Sequence, residues 1–260
     1  MSSYTPTINA LRHSRRPVSA AAPAPADEAA APAGLSGPGP ALIVAMPTTP
    51  GLADHEPLNF ALREARLLAR RLPGSTVLIE PPDGPPDGLP DAHCQGVPTL
   101  AAVLDYLPQC PIAHFACHGE DDPADPSHSR LLLHDHETSP LTVAALAPLH
   151  LERTRLAYLS ACETGLTTNP RLMNEAVHLA SAFQLAGYPH VIGTLWSVND
   201  AAAAEMADDF YASLIAVGVG RDGVPDTANA PFALHRAVRA ARSRYPALPS
   251  LWAAHIHAGA

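Results

Sequence analysis

Five short apolar runs recur along this chain, and helix-patterned segments separate them. The runs are "ALIVAMP" (41–47), "STVLIE" (75–80), "IAHFACH" (112–118), "RLAYLSAC" (155–162) and "HVIGTLWSV" (190–198). Apolar runs of this length, closed by proline, glycine or polar turns, are strands buried on both faces. The segments between them have helical period. In "NFALREARLLARRL", Ala61, Ala65, Leu68 and Leu72 share one face, while Arg63, Arg66, Arg70 and Arg71 largely avoid it. Strands alternating with helices predict an α/β fold, with a mostly parallel central sheet and helices on both faces.

Residues 1–40 are rich in Ala, Pro, Ser and Gly and nearly lack large apolar side chains. They cannot bury enough surface to offset ordering entropy, so a disordered arm is expected there and one domain over 41–260. The stretch "PPDGPPDGLPDAHCQGV" (81–97) is turn chemistry and is expected to be a surface loop. "SRLLLHD" (129–135) adds a hairpin strand, and a short tail follows the last helix, "FALHRAVRAARSRY". His134, His136, His255 and His257 are expected in loops or in water.

Composition removes several functions. All sixteen basic residues are arginines, which excludes a P-loop lysine, a lysine Schiff base and a lysine general base. A formal charge of -9 and the lack of a basic stripe argue against nucleic acid and anionic membranes as partners. No window approaches the length of a membrane-spanning helix, and no signal-peptide core follows the early arginines. Four scattered cysteines without a CxxC pair fit a reduced, cytoplasmic setting.

Strand three ends on "HFACHG" and strand four on "SACETG". In parallel sheets, ligand chemistry gathers at the carboxyl ends of the strands. If these two strands are neighbours, His118 and Cys162 share that rim. A thiol with an ordinary pKa of about 8.5 needs an imidazole beside it to act as a nucleophile at neutral pH. Gly119 follows the histidine directly, and the Gly119 and Cys162 amides could together stabilise a tetrahedral oxyanion.

"HFACHG" followed by "SRLLLHD", "LAYLSACETGL" and "EAVHLASAFQLAGYPHVIGTLWSVND" resembles the CHAT domain, a bacterial branch of the caspase-like cysteine peptidases related to caspases and separase. The resemblance runs from about residue 41 to the end and is densest over 112–215. It implies a caspase-type sheet, His118 as catalytic histidine and Cys162 as nucleophile, with no cofactor. It further implies a regulated endopeptidase acting on a protein substrate, linked to stress or antiphage defence and tied to a sensor or repeat-containing regulatory protein. The alternatives are a catalytically silent interaction scaffold of the same fold and, third, an acyltransferase using the same thiol.

Other residues have competing readings. Cys117 points away from His118 by strand alternation and reads as a core thiol. His114 and His118, with Cys117 beside the latter, have the i, i+4 spacing of a helical zinc site, but the run is strand-like and no second CxxC or HxxxH cluster accompanies it, so no metal is expected. Asp200 stands where a helix N-cap belongs. Alternatively, the "LWSVND" loop lines the substrate pocket, with Trp196 as a wall and Asp200 selecting a basic residue before the scissile bond.

Overall fold

The computed structural model describes residues 3–4, 39–51, 57–80, 94–120, 122, 124–160, 176–220 and 222–259. Eleven strands and six α-helices run through them. The strands are β1 (Ser3–Tyr4), β2 (Ala41–Ala45), β3 (Thr76–Ile79), β4 (Cys94–Gly96), β5 (Ile112–Ala116), β6 (Gly119–Glu120), β7 (Arg130–Leu131), β8 (Leu141–Thr142), β9 (Leu156–Ser160), β10 (His190–Thr194) and β11 (His255–Gly259). The helices are α1 (Ala61–Arg71), α2 (Leu100–Tyr106), α3 (Val143–Leu146), α4 (Ala176–Ala186), α5 (Asp200–Val217) and α6 (Ala230–Arg244).

The main sheet has the order β1-β11-β10-β9-β5-β2-β3-β4, and β6, β7 and β8 form a small second sheet. From β10 through β4 every neighbouring pair is parallel. The five sequence-predicted core strands are β2, β3, β5, β9 and β10.

Both faces of the sheet are covered, because the strand residues alternate between two apolar layers. Ile43, Ile112, Tyr158 and Ile192 face one layer, into which α1, α5 and α6 send Leu68, Phe210 and Ala237. Leu42, Val44, Phe115 and Leu159 face the other, against Val103 of α2 and Phe183 of α4. Helical crossovers on both sides leave the central strands no solvated face, and this explains their continuous apolar composition.

Two strand expectations need correction, both at or next to the sheet edges. The tail after the last helix is not a loop. His255–Gly259 forms β11, antiparallel to β10 with Ile192 opposite His257, and His257 is buried. Ser3 and Tyr4, ahead of residues 5–38 that lie outside the described residues, form β1, paired in parallel to His257 and Ala258. The 81–97 loop contains β4, where Cys94 pairs with Val77. In each case an edge strand with unpaired N–H and C=O groups accepts a neighbour of almost any composition, so no apolar run announces these strands. His136 is also buried, its Nε2 2.9 Å from the Pro50 carbonyl oxygen.

Candidate active site

β5 and β9 are parallel neighbours in register, with Ala116 opposite Ser160 at their carboxyl ends. Beyond Ala116 the chain is held on both sides. The Met46 amide donates to the Ala116 carbonyl (2.9 Å), and the Leu132 amide donates to the His118 carbonyl (2.8 Å). Gly119 then opens β6 opposite Leu131. The Arg130 guanidinium donates to Glu120 Oε2 from Nε (2.8 Å) and Nη2 (2.5 Å), clamping the small sheet next to His118. His118 is itself 1% exposed, so the small sheet fixes its backbone on the rim while its ring sits largely out of water. Cys162, with the rest of residues 161–175, lies outside the described residues.

His118 lines a cleft of about 250 Å³. One wall is the Pro57–Phe60 segment ahead of α1, and the other is the Ser197–Ala201 segment that leads into α5. Asp200 bridges the two walls: its Oδ2 accepts the Phe60 amide at 2.6 Å. Burial pushes the Asp200 carboxyl above the usual carboxylate range, the Phe60 amide opposes this, and the nearby Glu64 adds to it. Oδ1 has no hydrogen-bond partner among the described residues. The cleft is therefore polar at the α5 end and apolar at Leu58, Phe60 and Val198.

The sequence-predicted residues divide accordingly. His118 and Asp200 share the cleft. Trp196 is not among its lining residues; its indole N–H donates to the Ser250 carbonyl (3.0 Å), tying the β10–α5 loop to the segment after α6. Asp200 is not the N-cap of α5. Asn199 has that role, its side chain accepting the Ala202 amide at 3.3 Å. The Pro57–Phe60 wall was not foreseen, since a backbone amide that meets a carboxylate 140 residues away leaves no local signal.

Cys117, Cys110 and His114 serve packing. Cys117 is buried in the layer with Phe115 and Leu159. Burial pushes the Cys110 thiol up to about 11, partly offset by Thr76, so it stays protonated at neutral pH. His114 points into the opposite layer. Its Nε2 lies 2.8 Å from Glu64 Oε1, its Nδ1 is 3.3 Å from the Tyr211 hydroxyl, and its ring stacks on Tyr158. Among the described residues no group of three or more His, Cys, Asp and Glu could hold a metal ion. Nor is any helix among them long and apolar enough to cross a membrane.

A family model described as "CHAT domain" matches residues 1–260. No curated protein matches the chain. Among solved structures, the chain is similar to the Arg-specific cysteine proteinase gingipain R (RgpB), at TM-score 0.50 and 12% identity over 84% of this chain. The complex of Porphyromonas gingivalis RgpB pro- and mature domains matches at TM-score 0.49 and 14% identity, again over 84% of this chain. The chain spans 45% and 46% of those two proteins' lengths. At such identities the likeness to gingipain R is one of fold, and it makes the mostly parallel sheet described above a caspase-like one.

Proposed function

Starting from the membership of this chain in the CHAT domain family, we propose that it is a cysteine endopeptidase, with His118 and Cys162 as its catalytic pair. One observation carries the reading: Ala116 and Ser160 are register partners at the carboxyl ends of adjacent parallel strands. His118 and Cys162 each follow their strand's last residue by two positions. Equal offsets from a shared register are what a two-residue site on one rim requires, and the rim is where such sheets carry their chemistry.

In the proposed reaction, His118 takes the Cys162 proton and the thiolate sulfur attacks the scissile carbonyl carbon. The carbonyl π electrons move to oxygen, which the Gly119 and Cys162 amides stabilise. As the tetrahedral intermediate collapses, the C–N bond breaks and His118 returns the proton to the leaving amine. Water, deprotonated by His118, then attacks the thioester, releasing the acid and the thiol. Asp200, with Oδ1 beside the cleft, favours a basic side chain before the scissile bond. Family membership also supports a protein substrate and control by a separate sensor or repeat-containing protein, in stress or antiphage defence.

Treatment with a peptidyl electrophile tests the chemistry. One label per chain is expected on the wild type, none on Cys162→Ala, and slow labelling on His118→Ala. Equal labelling of the wild type and Cys162→Ala, or none on either, contradicts the peptidase reading and favours the silent scaffold.

A further inference from the structure

Helix α6, "APFALHRAVRAARSR", contains four arginines, one histidine and no carboxylate. Its inner face is small and apolar: Ala230, Ala233, Leu234, Ala237 and Ala241 are buried against the sheet layer it shares with α5. Its outer face is of another kind. Phe232 is 58% exposed, and Arg236 and Arg239 are exposed as well. Steps of four and then three residues set these side chains in one line along the helix. At 1.5 Å per residue that line is roughly 10 Å long.

The neighbouring arginines have partners. Arg244 pairs with Asp209 and Glu205, Arg71 with Asp208, and Arg242 lies over the Trp252 ring. Arg236 and Arg239 have no carboxylate partner among the described residues. The stripe therefore presents two uncompensated guanidinium groups and one exposed aromatic ring, on a chain whose formal charge is -9.

We infer that this outer face of α6 is a docking surface for an acidic, amphipathic helical segment of another protein. Three features select that partner. Arg236 and Arg239 are one helical step apart, the spacing at which two carboxylates three or four residues apart on a facing helix stand, about 5–6 Å. Each guanidinium can take a carboxylate through two parallel hydrogen bonds. Phe232, one turn away, offers an apolar contact that a purely electrostatic partner would not use, and aromatic and arginine side chains together are what protein interfaces favour. A nucleic acid fits less well. On α5 alongside α6, Glu205, Asp208 and Asp209 already pair with Arg244 and Arg71, so the positive strip is one helix wide and a phosphate backbone would find no second row of unpaired arginines there among the described residues.

The surface is separate from the His118 cleft, so its test does not depend on peptidase activity. Random peptides of about 16 residues, long enough for four helical turns, are displayed and selected on the full chain. The enriched sequences are expected to carry Asp or Glu pairs at three- or four-residue spacing beside an apolar residue. A synthetic peptide from that set should lose about ten-fold or more in affinity on R236E/R239E, a loss of about 1.4 kcal/mol or more. It should also weaken as salt rises from about 0.05 to about 0.5 M. Lysines in place of its acidic pair should restore binding to R236E/R239E. An unchanged thermal melt of R236E/R239E would show that the exposed changes leave the fold intact. Enrichment without acidic residues, equal binding by both proteins, or tighter binding of a single-stranded RNA oligonucleotide than of the peptide would each overturn the inference.

Discussion

Glu64 lies on the buried face of α1 at 1% exposure, between Ala61 and Ala65 and facing His114 of β5. A carboxylate in an apolar layer costs free energy unless it is paired. Here its Oε1 lies 2.8 Å from His114 Nε2, and Tyr211 and Tyr158 close the other sides of the imidazole. The contact joins a helix to the strand that leads to His118, and Glu64 is within electrostatic reach of Asp200 in the cleft. Removing one partner leaves a buried polar group alone. Glu64→Ala is therefore expected to lower stability by about 1–3 kcal/mol, while Glu64→Gln, which keeps the shape and a polar neighbour for His114, loses clearly less. Urea unfolding midpoints at unchanged m-value would show this; equal losses for the two variants would contradict the pairing. Half of this contact was legible in the sequence, since Glu64 falls three residues after Ala61 and so on the predicted apolar face. Its partner was not, because which strand residue faces a given helix depends on sheet order and register.

At the level of elements, adjacent residues at the start of α5 have different tasks. Asn199 caps the helix through the Ala202 amide, and Asp200, the first helical residue, holds the Phe60 amide across the cleft. The two positions predict separable effects. Asn199→Ala is expected to cost about 1 kcal/mol, within the 0.5–2 kcal/mol range of lost caps, and to leave cleavage preference unchanged. Asp200→Ala is expected to abolish a preference for Arg or Lys before the cut, as read by profiling against a peptide library. Preference lost on Asn199→Ala and retained on Asp200→Ala would return the cleft's selectivity to some other group. The sequence shows an acidic residue near a helix start but not which of "ND" caps, because both are favoured there. The core strands were legible for the opposite reason. Burial on both faces forces an apolar run on any sequence that forms them, whereas β1, β4 and β11 sit at or near the edges and need only backbone groups to pair. His118, the proposed catalytic histidine, was legible as part of a motif at a strand end and lines the cleft; the wall built by Pro57–Phe60 was not legible.

On the scale of the whole sheet, one side ends in β11 with β1 paired outside it, and there two histidines on the adjacent antiparallel strands β10 and β11 come together. His190 Nδ1 lies 3.1 Å from His257 Nε2, and both residues are buried. Burial pushes each imidazole down to about 4; Asp226 opposes this at His190, and His190 reinforces it at His257. In the folded protein both rings are therefore neutral well below the ordinary histidine value of about 6.5. The unfolded chain takes up protons at that ordinary value, so between about 6.5 and 4 it binds more protons than the fold. Stability then rises with pH across that window: this contribution is fully present above about 6.5 and is lost as pH falls toward 4. Each excess proton on the unfolded chain contributes a slope of about 1.4 kcal/mol per pH unit, so the pair acts on the order of a few kcal/mol between pH 7 and 5, where few ordinary carboxylates titrate. The variant H190Q/H257Q should melt with a visibly shallower dependence on pH over that interval, whatever its absolute Tm. Because β1 is paired to β11 at Ser3 and His257, the protection of the Ser3 and Tyr4 amides against exchange, relative to the intrinsic rate at each pH, should fall in the wild type on the same acid side. If the pH slope of the melt is the same in the wild type and H190Q/H257Q, the two imidazoles are not what ties this side of the sheet to neutral pH.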